Sequence, residues 1–275
     1  MTLHLPSVPQ IFKHSGEFSA GTGQIRKGMA SIVVALDGSG DFDNIQEGID
    51  ALPSAGGSVF IKEGTYNIYK TIMIEKSGVR LEGTGYGTHL KLCKPFTNSV
   101  MGNVFIGISS VNYIKIENLR IDLNDDESGR TGIDIDTSTR LVIRSCWFQN
   151  NNGGSAFIWA NGFYKSIITN NILTNSADGI YSIYLEHNAD YNIISNNVCS
   201  GQTDGNAHIA IANDSNKNIV ANNICTGSGG YGILIASDVS GTPDRNLVIG
   251  NICKDNSTNY GNTGTNTEAG HNITA

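Results

Sequence analysis

Four stretches align without a gap: SIITNNILTNS (166–176), NIISNNVCSGQ (192–202), NIVANNICTGS (218–228) and NLVIGNICKDN (246–256). Their sixth residues, Asn171, Asn197, Asn223 and Asn251, recur at spacings of 26, 26 and 28. A unit this short buries its apolar strip only by stacking on its neighbours, so the period marks a solenoid. RLVIRSCWFQN (140–150) is an earlier copy with Cys146 at the Asn position, and NYIKIENLRID (112–122) lies one coil before it. A second segment aligns independently: GIDID from Gly132, AFIWA from Ala156, SIYLE from Ser182, HIAIA from His208 and GILIA from Gly232, at offsets of 24, 26, 26 and 24. The second and fourth residues of each are apolar, and period-two alternation turns those inward and their neighbours outward. Leucine-rich repeats share the period but need Leu-rich spacing and a helical segment, which are missing. The expected fold is all-β, a single-stranded parallel β-helix.

Composition agrees. The chain has 275 residues, 39% hydrophobic and 16% charged, which fits one solenoid and excludes disorder and coiled coil. Gly (33 copies) and Asn (about thirty) dominate while Pro is limited to five, the balance of a chain of short strands and tight bends. A formal charge of −7 gives no global attraction to phosphate, so nucleic acid is not an expected partner. No apolar run approaches the roughly 20 residues of a membrane span. The start, MTLHLPSVPQ, shows no signal peptide, so a protein working outside the cell would take another route there.

Three segments are expected: an N-terminal extension (1–32), a capping segment with a short helix (33–57) and the β-helix (58–275). Asp43 followed by Gln46 has the form of a capping box, Ile45, Ile49 and Leu52 share a helical face, and Pro53, Gly56 and Gly57 end the segment. Such a helix would shield the open end of the solenoid. TNTEAGHNITA (265–275) carries no matching helix, leaving three readings: the chain stops mid-solenoid, continues, or is covered by another subunit.

VVALDGSGDFDNIQEGIDALP from Val33, GGSVFIKEGTY from Gly56 and LEGTGYGTHL from Leu81 resemble the opening coils of the pectin-lyase-like superfamily of right-handed parallel β-helices. The resemblance implies an acidic or complex polysaccharide as ligand and an extracellular or virion-associated setting. Its members include pectate lyases, polygalacturonases, pectin methylesterases, epimerases and phage or viral tailspikes. DGSGDF at Asp37 resembles the start of a pectin methylesterase, but that family's DFIFG-type and LGRPW-type segments are missing. Asp125-Asp126 and Gly270-His271 are the nearest remnants of polygalacturonase motifs, and the WIDH-like and RxPxxR-like stretches of pectate lyases do not occur.

The alignment itself supplies a candidate site. One outward column reads Asp136, Ala160, Glu186, Ala212, Ala236, and its neighbour reads Asp134, Ile158, Tyr184, Ala210, Leu234. Coils stack about 4.8 Å apart, so Asp136 and Glu186 lie roughly 9.6 Å apart along the axis, at the upper end of the ~6.5–9.5 Å that suits an inverting glycosidase. Small Ala160 leaves the floor between them open. Asp134, Asp136 and Glu186 are the candidate catalytic carboxylates; Tyr184 and Tyr181 are candidate sugar-stacking residues, and His187 and His208 bind substrate or move protons. A lyase would take His208, Tyr184 or Lys165 as base. The competing readings are a solvated surface, non-hydrolytic glycan binding, or a structural module of a phage or viral appendage. For the last, a homotrimer is the candidate assembly, with Ile158 and Leu234 as covered apolar residues.

The loop DLNDDESGR from Asp122 gathers Asp122, Asn124, Asp125, Asp126 and Glu127, hard oxygen donors of the kind Ca²⁺ takes, although Glu127 and Ile133 break the EF-hand pattern. It reads as a solvated acidic turn or as a metal-binding or substrate-gating loop. No other cofactor is implied and no metal-ligand set is assigned. Cys199, Cys225 and Cys253 each follow the repeated Asn by two residues and stack as reduced thiols, because parallel Cβ vectors are poorly placed for a disulfide. The Asn residues form a ladder of side-chain amides bonded from coil to coil.

Overall fold

The computed structural model describes residues 30–124, 130–176, 181–203, 206–237 and 240–274. Each coil contributes one strand to each of three sheets. In one coil these are Val142–Arg144, Trp147–Asn151 and Ala156–Asn161; in the next they are Ile167–Thr169, Ile172–Ser176 and Tyr181–Glu186. The first sheet has ten strands and the other two have eight, all paired in parallel with the strands one coil away. The result is a right-handed β-solenoid of about eight turns.

Inward residues repeat in files. Ile143, Ile168, Ile194, Val220 and Val248 stack under the first sheet, and Phe148, Leu173, Cys199, Cys225 and Cys253 under the second, each at most 1% exposed. The five cysteines are free thiols. Burial raises the Cys146 thiol to about 12, and its thiol neighbours together with burial hold Cys225 well above the ordinary value.

The corner between the first and second sheets is turned by Asn170, Asn196, Asn222 and Gly250 in the left-handed region, with φ of 56, 55, 57 and 67°. Asn and Gly tolerate that conformation best. The next residue then points inward, and there Asn171, Asn197, Asn223 and Asn251 pass amide bonds along the axis at 3.0 Å each. Each Nδ2 also donates to a backbone carbonyl of the preceding coil: Ile143, Ile168, Ile194 and Val220 respectively. A second ladder, unforeseen from the sequence, links Asn192, Asn218 and Asn246 at the corner between the third and first sheets.

The helix Ile45–Ala51 buries Ile45 and Ile49 with neighbouring Leu52, as expected, but its N-cap is Asn44 rather than Asp43. The Asn44 side chain accepts from the backbone N–H of Gln46 (2.9 Å) and Glu47 (3.2 Å). Gln46 does not reach back to the cap; its amide bonds Asp50 and the Met73 backbone. The strand Ala30–Val34, which runs from the expected extension into the capping segment, pairs with Gly57–Ile61 as a rung of the first sheet.

Candidate functional site

The third sheet carries the expected carboxylates, but its register differs from the sequence alignment by one residue at one coil. Ile133 pairs with Ile158 and Ile158 with Ile183, spacings of 25 and 25 rather than 24 and 26. Ile158 and Ala160 are therefore interior, at 0% exposure. The outward files are Met73, Gly107, Asp134, Trp159, Tyr184, Ala210, Leu234 and, beside it, Ser109, Asp136, Asn161, Glu186. Between the outer carboxylates stands Asn161, with Trp159 one file over, where an open floor was expected. The trimer contact proposed through Ile158 falls with the same correction, while Leu234 is half-buried.

Asp134, Asp136 and Glu186 nevertheless line one shallow groove of about 400 Å³ with Val100, Met101, Trp159 and Asn161. Asp134 and Asp136, alternate residues of one strand, stand about 6.6 Å apart at the backbone; two coils separate Asp136 from Glu186, about 9.6 Å. Glu186 is 8% exposed. Its Oε1 accepts from Trp159 Nε1 at 2.7 Å and its Oε2 from Asn213 Nδ2 at 3.1 Å, with His187 Nε2 3.5 Å from Oε2. Asp134 differs: burial, then the charges of Asp136 and Glu186, push its pKa up to about 6. Two carboxyl groups in one groove thus meet different environments, Asp134 buried beside like charges and Glu186 accepting from the Trp159 and Asn213 side chains.

The aromatic wall was only half foreseen. Tyr181 and Tyr184 stack with centroids 4.3 Å apart, and Trp159 packs edge-on against Tyr184 at 5.1 Å. His187 is exposed at the strand's end. His208 is a correction: it is 0% exposed, bonded to Ser182 Oγ and the Thr226 carbonyl at 3.0 Å each, and burial lowers its pKa to about 4. A neutral, sealed imidazole meets no substrate. Lys165 is likewise removed, since it lies on the corner between the third and first sheets, over the Tyr164 ring.

Of the acidic loop, residues 125–129 lie outside the described residues. Asp122 is committed to His89, Gln149, Asn150 and the Asn124 backbone. Among the described residues no three His, Cys, Asp or Glu gather closely enough to hold a metal ion.

A family profile described as periplasmic copper-binding protein (NosD) matches residues 60–275. The chain belongs to the NosD family. A curated relative, pectinesterase 2 of Citrus sinensis, is 44% identical over 61 residues, 21% of this chain and 12% of that protein. Among solved structures, the periplasmic alginate epimerase AlgG aligns with a TM-score of 0.53 at 11% identity, over 80% of this chain and 51% of that one. Pectin methylesterase from carrot gives 0.52 at 13% over 92% and 90%, and endo-xylogalacturonan hydrolase from Aspergillus tubingensis 0.51 at 14% over 86% and 76%. At these identities the likeness is one of fold. The chain spans about half of the epimerase and a small part of the pectinesterase. No helix among the described residues is long and apolar enough to cross a membrane.

The described residues do not fit the copper of the NosD description. Copper takes thiolate, thioether or imidazole donors in a converging set. Cys199, Cys225 and Cys253 are sealed inside the coil, and no described imidazole belongs to a group of three or more His, Cys, Asp or Glu that could hold a metal. Two thioethers do meet: a Cβ on Gly107 would lie 2.7 Å from Met73 Sδ and 2.8 Å from Met101 Sδ. The strands around them, Ile72–Ile74, Val104–Ser109 and Thr131–Asp136, carry no His or Cys to complete a site.

Proposed function

We propose that the third-sheet groove binds a polysaccharide and hydrolyses its glycosidic bonds, with Asp134 as general acid and Asp136 or Glu186 positioning or activating water. The observation that carries this reading is three carboxylates with an aromatic wall in one groove, with the pKa of Asp134 raised to about 6 by burial and by the charges of the other two. A carboxyl group serves better as a proton donor when its pKa is raised, and burial together with the neighbouring carboxylates raises that of Asp134. Asp134 and Asp136 leave their strand ~6.6 Å apart at the backbone, on the scale of the carboxyl separation that an inverting mechanism uses. A lyase is less well supported: proton removal beside a uronate needs that carboxylate neutralised, and no Lys or Arg is among the described residues that line the groove. The same charge favours neutral sugar units at the cleavage point. Trp159 and Tyr184 supply ring faces and edges for stacking, which also supports a second reading, glycan binding without turnover.

The test is a panel of neutral and acidic polysaccharides, with and without Ca²⁺, followed by reducing-end release and by absorbance near 235 nm. Reducing ends without unsaturated product are expected, with Asp134→Asn and Glu186→Gln lowering the rate by at least 100-fold in folded protein. Unsaturated product would overturn the hydrolase assignment. Retention on glycans with no product from folded protein would establish the second reading.

A further inference from the structure

We infer that a second site, on the corner between the third and first sheets, binds a linear anionic polysaccharide laid along the solenoid axis. Six successive coils place Tyr113, Arg140, Lys165, Tyr191, Lys217 and Arg245 at the same point of this corner, all exposed, with φ between 52 and 61°. Their equivalence is fixed by one repeated bond, in which each backbone N–H donates to the next coil: Tyr113 to Thr139, Arg140 to Tyr164, Lys165 to Asp190, Tyr191 to Asn216, Lys217 to Asp244 and Arg245 to Thr265. The left-handed backbone turns each side chain outward, so cations and phenols stand in single file.

The file is tied together. Arg140 lies over the Tyr113 ring at 5.2 Å, Lys165 over Tyr164 at 4.9 Å and Lys217 over Tyr191 at 4.8 Å. Lys217 Nζ donates to the Tyr191 hydroxyl at 2.8 Å, and Tyr164 packs edge-on against Tyr191 at 5.4 Å. Side chains ordered before a ligand arrives lose less freedom when it binds. Of the nearby carboxylates, Asp190 and Asp214 accept backbone N–H groups and Asp244 accepts from Thr265 and Asn266 beside Arg245, while Glu268 stands at the Arg245 end.

Over the five coils from Arg140 to Arg245 the ridge is flanked by an aliphatic file, Val142, Ile167, Ile193, Ile219 and Leu247, with Ile193 and Ile219 each 37% exposed and with Lys115 and Glu268 at its two ends. At one end a cleft of about 500 Å³ opens between Arg245, Asn246, Leu247, Asn266 and Glu268. The four cations therefore recur at one or two coil spacings of about 4.8 Å, close to the length of one extended pyranose unit. An extended uronate or sulfated chain would meet two pairs of adjacent cations, Arg140 with Lys165 and Lys217 with Arg245, separated by Tyr191, and rest its apolar ring faces on the aliphatic file. A straight single file does not follow the helical path of duplex phosphates. This site is separate from the carboxylate groove and does not depend on its chemistry.

The experiment is affinity electrophoresis of the full chain in gels containing polygalacturonate, dextran or no polymer, at low and high salt. Polygalacturonate should retard the protein, less so at high salt, and dextran should not. Lys165→Glu with Lys217→Glu should weaken binding at least tenfold, and the milder Lys165→Gln with Lys217→Gln by several-fold, both with an unchanged circular dichroism spectrum and melting temperature. Lys254→Gln, which removes an exposed cation of the second sheet, should bind as the parent does. Equal retardation by dextran, binding by the charge-reversed protein within twofold of the parent, duplex DNA bound as tightly as polygalacturonate, or an equal loss from Lys254→Gln would each overturn the inference.

Discussion

Asp134 and His208 are displaced in ways that oppose each other as pH changes. Asp134 is raised from 3.8 to about 6, so the folded state holds its proton more tightly than the unfolded chain and stability falls as pH rises from about 4 to 6. His208 is lowered from 6.5 to about 4, so the unfolded chain takes the proton first and stability falls as pH drops from about 6.5 to 4. Over that shared window the two slopes offset. Asp134→Asn removes one of them: it should stabilise the protein by about 1–2 kcal/mol at pH 7.5 and expose the acid-side loss due to His208. His208→Gln should show the reverse slope. Urea denaturation at pH 4, 5, 6 and 7.5 checks both, and parallel pH profiles for all three proteins would contradict them. The carboxylates themselves were legible in the sequence, because Asp134, Asp136 and Glu186 interrupt otherwise apolar strands. Trp159 was not. Phe157, Ile158, Trp159 and Ala160 form an apolar run that fits either face, and the inward turn of Phe157 at the strand's start hides the alternation that separates them.

At the level of the repeated element, the Asn corner is what makes the fold readable. An inward amide at the same point of every coil has an obvious partner only in the coil above and below, so spacings of 26 and 28 translate directly into stacked rungs. The same residue type at Asn192, Asn218 and Asn246 begins three of the aligned stretches, yet a first residue reads as a boundary rather than as a ladder. Its role emerges from the bonds: Asn192 Oδ1 accepts from the Ser166 backbone, and its Nδ2 donates to the Phe163 carbonyl at 2.8 Å. Asn197→Ala would strip partners from the buried Asn171 N–H and side chain and from the Ile168 carbonyl. Unsatisfied buried groups cost about 1–3 kcal/mol each, so a loss of about 3 kcal/mol or more is expected. Asn272→Ala, at the half-buried end of the ladder, should lose about 1 kcal/mol. Equilibrium urea melts of both variants provide the comparison, and equal losses would show that the ladder is not the source.

For the whole molecule, the question is whether stacked coils open one at a time or together. Nearest-neighbour architectures permit either, depending on how strongly adjacent repeats are coupled. Here coupling is dense: each coil shares strands in three sheets with its neighbours, and two Asn ladders run through several consecutive coils. The thiols report on this without added labels. Cys93 is half-buried, with Sγ 3.4 Å from Asn67 Oδ1, whereas Cys146, Cys199, Cys225 and Cys253 are at most 2% exposed and occupy different coils. In native buffer a thiol reagent should modify Cys93 alone. With rising urea the remaining four should react over one transition whose midpoint matches that of the far-ultraviolet circular dichroism. Coil-by-coil opening would instead spread them over separate midpoints, and mass spectrometry of the modified peptides would reveal the order. A single transition follows from the geometry because opening one coil strands the amides of the two beside it, a penalty that grows with each isolated boundary and favours unfolding of the stack as a unit.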